Sequence, residues 1–151
     1  MAETAIPGVV HHILENDYAS EWMGIEVLTL SDGHATIRMT LRQEMLNGFG
    51  MAHGGMIFAF ADSAFALACN PASPADPDSI TVAAGVDINF LKPAYQGQVI
   101  TAVADRRSSA GRSGLYDIQI FAADPGAGAS AGQPGELIAE FRGRSRTIPK
   151  K

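Results

Sequence analysis

The residues whose types could do chemistry gather in one stretch of the chain: Asn47, His53, Gly54, Gly55, Asp62 and Cys69. From Met56 to Cys69 only Asp62 and Ser63 are polar. An ionised carboxylate in such apolar company is costly unless it is paired, neutralised or kept wet by a cleft. Asp62 is therefore either a structural carboxylate held by N–H donors or a functional acid. The two glycines favour the second reading. Without side chains, Gly54 and Gly55 let a ligand approach the backbone, and the first N–H groups of a helix lack intrahelical partners. Those donors, with the positive end of the helix dipole, suit a negative oxygen. His53, just ahead of the glycines, either touches the ligand or braces the loop, and its place outside the helix favours bracing. Cys69, in an apolar helical setting, reads as a packed thiol.

The element that positions these groups is a helix over about 54–70. Asn70-Pro71 closes it, because proline cannot continue a helix and disfavours helical geometry in the residue before it. Its composition leaves no face for water, so it should be covered all round. It is too short to span a bilayer, which needs about 20 residues. Asp62 lies eight residues beyond Gly54, about 12 Å along the axis at ~1.5 Å per residue. One helix cannot put both groups on one carbonyl. A two-fold dimer with antiparallel copies of the helix could, by setting Gly54 of one subunit against Asp62 of the other.

The flanking chain supplies a sheet. Residues 8–19 place Val9, Val10, Ile13 and Leu14 on one side at helical spacing, which predicts a short amphipathic helix whose histidines face solvent. Residues 25–30 and 35–41 alternate with period two around Ser31-Asp32-Gly33-His34, the pattern of a hairpin. The loop over 42–52 delivers the chain to the helix start, and Asn47 is its candidate for facing a substrate. After the proline-rich connection Pro71 to Asp78, residues 80–91 read as a long strand ended by Lys92-Pro93. It places Ile80, Val82, Ala84, Val86, Ile88 and Phe90 on one face. Residues 98–105, 115–123 and 136–147 complete an antiparallel set, joined by loops over 108–114 and 124–135, the latter rich in glycine and alanine. Strands beside one apolar helix make an α+β layer fold in one domain over 1–151.

Composition narrows the function. A net charge of −5 argues against a nucleic-acid binder. The charge is uneven: residues 1–91 hold 11 acids against Arg38 and Arg42, and residues 92–151 hold nine bases against five acids. That basic half is either a solvated sheet face or the seat of an anionic ligand. One cysteine permits no internal disulfide, and His11, His12, His34 and His53 lack zinc-ligand spacing, so neither metal nor cofactor is expected. With no basic, apolar leader and no membrane-length run, the chain reads as cytoplasmic.

Asn47-Gly48-Phe49-Gly50-Met51-Ala52-His53-Gly54-Gly55, with Phe58, Ala61-Asp62, Ala64-Phe65-Ala66 and Ala68-Cys69-Asn70, resembles the signature of the PaaI-type hotdog-fold acyl-CoA thioesterases. The likeness runs on through Val86 to Ala94 and Gly111 to Ile118. It implies a five- or six-stranded antiparallel sheet wrapped around one central helix, dimers with shared sites that pair into tetramers, and hydrolysis of acyl-CoA thioesters, with an arylacetyl group such as phenylacetyl favoured. It implies further that Asp62 attacks the thioester or activates water, the Gly54 N–H polarises the carbonyl, and Asn47 orients substrate or water. The strand hydroxyl that some relatives use falls near Ala84-Gly85, where none exists, leaving Gly85 against the substrate and Thr81 or Ser79 as substitutes. Phe58 and Phe65, at i−4 and i+3 from Asp62, either wall an acyl pocket or pack the core. Arg112 with Ser113, and less directly Lys92 and Arg106, suit the coenzyme A phosphates. A hotdog hydratase or dehydratase and a non-catalytic acyl-CoA-binding protein are the rival readings.

Overall fold

The computed structural model describes residues 5–74, 76–126 and 134–150, and the structural statements below concern those residues. Six antiparallel strands form one sheet: β1 (Glu26–Ser31), β2 (His34–Thr40), β3 (Ser79–Phe90), β4 (Val99–Ala110), β5 (Ser113–Ala123) and β6 (Glu136–Pro149). Their order is β1-β2-β4-β5-β6-β3, so β1 and β3 are the edges. A six-residue helix α1 (Tyr18–Met23) precedes β1, and the 16-residue helix α2 (Gly54–Cys69) connects the β1–β2 hairpin region to β3.

The sheet wraps around α2 because its strands alternate. Gly114, Tyr116, Ile118 and Ile120 of β5 turn inward, as do Ile100, Ala102 and Ala104 of β4. They meet Ile57, Phe60, Ala61, Ala64, Phe65, Leu67 and Ala68 of the helix, and together these side chains form the core. Gly143 on β6 is part of that fit: a Cβ there would lie 2.5 Å from the Phe65 ring.

Five expectations need correction. Residues 8–19 do not form a helix: Gly8 bridges to Val27, His12–Leu14 make a single 3-10 turn, and α1 begins only at Tyr18. Asp17 caps α1 and left-handed Gly24 ends it, and these local signals outweigh the apolar spacing upstream. His11 does not face solvent but is buried, its Nε2 donating to the Asn70 carbonyl at 2.9 Å and its Nδ1 accepting from the Ile13 N–H. The loop expected over 108–114 shrinks to the turn Gly111-Arg112, because β4 and β5 stay paired up to Ala110 and Ser113. And α2 is not covered all round: Gly55 and Phe58 are exposed, and Met56, Ala59, Asp62, Ser63, Ala66 and Cys69 are half-buried. The expected apolar face of β3 is broken as well, since a bulge between Ala83 and Gly85 shifts its register. Val86 and Ile88 pack on the core, whereas Ile80, Val82 and Phe90 stay exposed. Of the loop over 124–135, residues 127–133 lie outside the described residues.

Candidate active site

The loop ahead of α2 is tied down by its own side chains. Asn47 Oδ1 accepts from the N–H groups of Phe49 and Met51, at 2.9 and 3.2 Å, and its backbone N–H reaches the Met51 carbonyl. Ala52 then hydrogen-bonds Ala94, and His53 hydrogen-bonds Met45. Asn47 thus braces the loop through its oxygen and leaves its amide N–H groups for another partner.

His53 is the N-cap of α2. Its Nδ1 accepts from the Gly55 N–H at 3.0 Å, which places the ring proton on Nε2. The His53 carbonyl takes the N–H groups of Met56 and Ile57. Of the first-turn donors, the Gly54 N–H alone has no partner among the described residues. The brace therefore singles out one donor for a negative oxygen, at the positive end of a four-turn helix.

Sequence reading missed the group that borders this donor. A Cβ on Gly54 would lie 3.2 Å from Phe90 Cζ, so the ring at the end of β3 stands over the glycine. The signal was available, since Phe90 closes the strand just before Lys92-Pro93, but sequence does not show which helix residue it meets.

Asp62 lies two turns along the same open stripe, past Phe58, whose ring packs on Phe141 with centroids 5.5 Å apart. Its carboxylate is half-buried and has no hydrogen-bond partner among the described residues. Burial pushes its pKa above the usual carboxylate value, and the charge of Asp17 adds to the effect. Asp17 is a second group that sequence reading missed. It is held in place by Ser20, whose hydroxyl donates to it at 2.7 Å and also meets Ser63 Oγ at 2.8 Å.

The remaining candidates scatter. Phe65 is 1 % exposed against Phe141 and Tyr116, which makes it a core residue rather than a pocket wall. Lys92 is ion-paired with Glu136, and Arg106 holds Asp32 at the far end of α2 from Gly54. Arg112, by contrast, has no carboxylate partner among the described residues; near it stand Ser113 and Arg146, 3.5 Å apart. Gly85 is exposed beside Arg144. The Thr81 hydroxyl is taken by Thr147 at 2.8 Å. Cys69 is held as a thiol, pushed up to about 12 by burial. Among the described residues no group of three His, Cys, Asp or Glu side chains is placed to hold a metal ion, and no helix is long and apolar enough to cross a membrane.

An open helix-start donor and an elevated carboxylate on one stripe fit acyl transfer, and comparison with known proteins agrees. Residues 49–129 match the model of the thioesterase superfamily. The chain belongs to that superfamily. It is 36% identical to the acyl-coenzyme A thioesterase PaaI of Escherichia coli, over 91% of this chain and 88% of that one. The solved structure of the E. coli PaaI protein from the phenylacetic acid degradation operon superposes with a TM-score of 0.76 at 35% identity, covering 91% of this chain and 88% of that chain. A mutant of the phenylacetic acid degradation protein PaaI from Thermus thermophilus superposes at 0.72 with 30% identity, covering 86% and 98%. The six-stranded sheet around α2 is the hotdog fold, and this thioesterase is a hydrolase of thioesters.

Proposed function

We propose that this thioesterase hydrolyses acyl-CoA thioesters in the cytoplasm, with arylacetyl groups such as phenylacetyl preferred, at sites shared between two subunits. The observation that carries the reading is the Gly54 N–H, the one first-turn donor without a partner among the described residues, on the same open helix stripe as Asp62. The Gly54 donor binds the carbonyl oxygen as charge develops on it. Asp62 delivers the attack, either as a nucleophile that forms a mixed anhydride and expels the CoA thiolate, or as the base that takes a proton from water. Asn47 orients the reacting group through its amide N–H, and His53 holds the donor geometry.

Two features support a two-fold dimer. Gly54 and Asp62 are about 12 Å apart along one rigid helix, so one carbonyl needs the two groups from different chains. The free edge of β3 and the open stripe of α2 also leave backbone groups and apolar rings for a second copy to cover. Antiparallel pairing of β3 edges would bring the Arg112 end of one chain towards the Gly54 end of the other. Within one chain Phe90 and Val82, the partner of Arg146, are eight residues apart, about 26 Å at ~3.3 Å per residue. The coenzyme A phosphates are therefore assigned to Arg112 of the neighbouring chain. Exposed Val10, Tyr18 and Trp22 offer apolar surface for pairing two dimers into a tetramer.

Free thiol release from phenylacetyl-CoA and from aliphatic acyl-CoAs tests the activity. Tight binding without release from any thioester would favour the acyl-CoA-binding alternative. Single-turnover hydrolysis in 18O-water tests the two routes: label in the Asp62 carboxylate shows an anhydride opened by water at the Asp62 carbonyl carbon, whereas base-assisted attack of water labels the released acid alone.

A further inference from the structure

A cavity of about 430 Å³ lies at the C-terminal end of α2, opposite the helix end that carries the Gly54 donor. Leu30, Leu67, Ala68 and Tyr116 give it an apolar wall, and Asp32 and Arg106 stand at its mouth. Its volume falls within the range of small-molecule sites, about 300–1,000 Å³. His11 and Cys69 also border it; burial lowers the pKa of the first and raises that of the second, so both are uncharged at neutral pH. Arg106 is the only cation lining the cavity and Asp32 its only anion, among the described residues.

The guanidinium has neighbours besides Asp32. Arg106 sits opposite Tyr116 in the β4–β5 register, and the Tyr116 hydroxyl interacts with it. The guanidinium also stands against the β1–β2 turn at Gly33, whose φ is +72° and where a Cβ would lie 2.9 Å from Arg106 Cζ. The fork so held donates to both Asp32 oxygens, Nη1 to Oδ1 at 3.2 Å and Nη2 to Oδ2 at 2.9 Å. The Asp32 side chain itself is 88% exposed on a turn tip, where water and a ligand carboxylate can compete with it for the fork.

We infer that this cavity is a second ligand site for a small monocarboxylate with an apolar body. The ligand carboxylate replaces Asp32 on the Arg106 fork, and the body packs on Leu30, Leu67, Ala68 and Tyr116. Bidentate pairing selects a planar carboxylate, and the uncharged wall selects an apolar tail. The acid released by thioester hydrolysis is one such molecule, and that identification alone rests on the proposed activity.

Titration of the 15N-labelled full chain with phenylacetate, hexanoate and neutral phenylacetamide tests the site by NMR. The two acids are expected to shift the amides of Gly33, Ala68 and Asn70, and phenylacetamide to leave them in place. Asp32→Ala should tighten acid binding several-fold by removing the competitor, and Arg106→Gln should weaken it by about tenfold or more. These two opposite signs do not arise from a fold defect. Shifts confined to Asn47, Gly54 and Gly55, or equal affinity in the Arg106→Gln protein, would overturn the inference. Absence of thioester hydrolysis would overturn the proposed activity and leave this titration as it stands.

Discussion

At the scale of single residues, Asp62 connects stability with function. Its folded-state pKa is raised above the unfolded value, so its contribution favours the fold at low pH and is lost as pH rises through the elevated folded pKa. Asp62→Asn removes that loss. At neutral pH the variant should be more stable by about 1 kcal/mol, the order of an unsatisfied half-buried polar group. Thermal unfolding should show the gain at pH 7 and show it vanish below the ordinary aspartate range. The same variant should lose about 10²–10⁴-fold in kcat, since removal of an acid–base group costs that much. Asp17→Asn makes a subtler test, because asparagine keeps the α1 cap and removes only the charge that helps to raise Asp62. The acid limb of the pH–kcat/KM profile should move to lower pH; an unmoved limb would mean that Asp17 does not reach the carboxylate. Gly54→Ala keeps its N–H but drives a methyl against Phe90, so kcat should fall towards the ~10²-fold loss of an oxyanion donor. Phe90→Ala in the same chain should recover part of it, a coupling that a double-mutant cycle measures.

At the scale of elements, the sheet and the helix are fitted to each other through small residues. Gly143→Ala inserts a methyl 2.5 Å from the Phe65 ring, and overpacking of this kind costs about 1–3 kcal/mol. The melting temperature should fall by about 2–4 °C per kcal/mol for a domain of this size. Phe65→Leu in the same chain should restore part of that, with the acyl preference unchanged because Phe65 packs the core. Rescue accompanied by a shift towards bulkier acyl groups would return Phe65 to the pocket. The N-terminal segment is held by different means: buried His11 bonds the Asn70 carbonyl at the end of α2, while Asn70 bonds Thr81 N–H and carbonyl with its side chain. Proline after Asn70 was readable as a helix stop, but the clamp from helix end to strand start was not, because its partners are 11 and 59 positions away.

At the scale of the molecule, the proposed function depends on a second copy of the chain. A 1:1 mixture of Asp62→Asn and Asn47→Ala chains, each inactive alone, forms hybrid dimers with one intact site, so about a quarter of the wild-type activity should return if subunits mix at random. No recovery in verified heterodimers would show that each chain serves its own substrate. Charge is settled at this scale too. Arg106 of the basic second part holds Asp32 of the acidic first part, while Arg107 and Arg142, which both hold Asp117, and Lys92 with Glu136 are paired within the basic half itself. The cations near the β4–β5 turn without a carboxylate partner among the described residues, with Arg112 among them, are fewer than the sequence count suggests.

What the sequence determined by itself is what local chemistry controls. Two glycines after His53, fourteen mostly apolar residues and Asn70-Pro71 define α2 and its open start; period-two runs define the strands; and Asp62 is conspicuous because nothing else in its helix is charged. Hydrogen-bonding patterns of one turn and alternation of one strand need only neighbours a few positions away, so they are written in order along the chain. Which first-turn donor stays open is local as well, since His53 caps Gly55 two positions on, and tertiary structure alone decided the rest. It decided that Phe90 stands over Gly54, that Phe65 is core, that Asp17 loads Asp62, and that Arg106 faces Asp32 across 74 positions. Each of these depends on the register of strands and on the side of α2 that the sheet leaves uncovered. Those are set by packing among residues far apart in the chain, and no local pattern encodes the pairings.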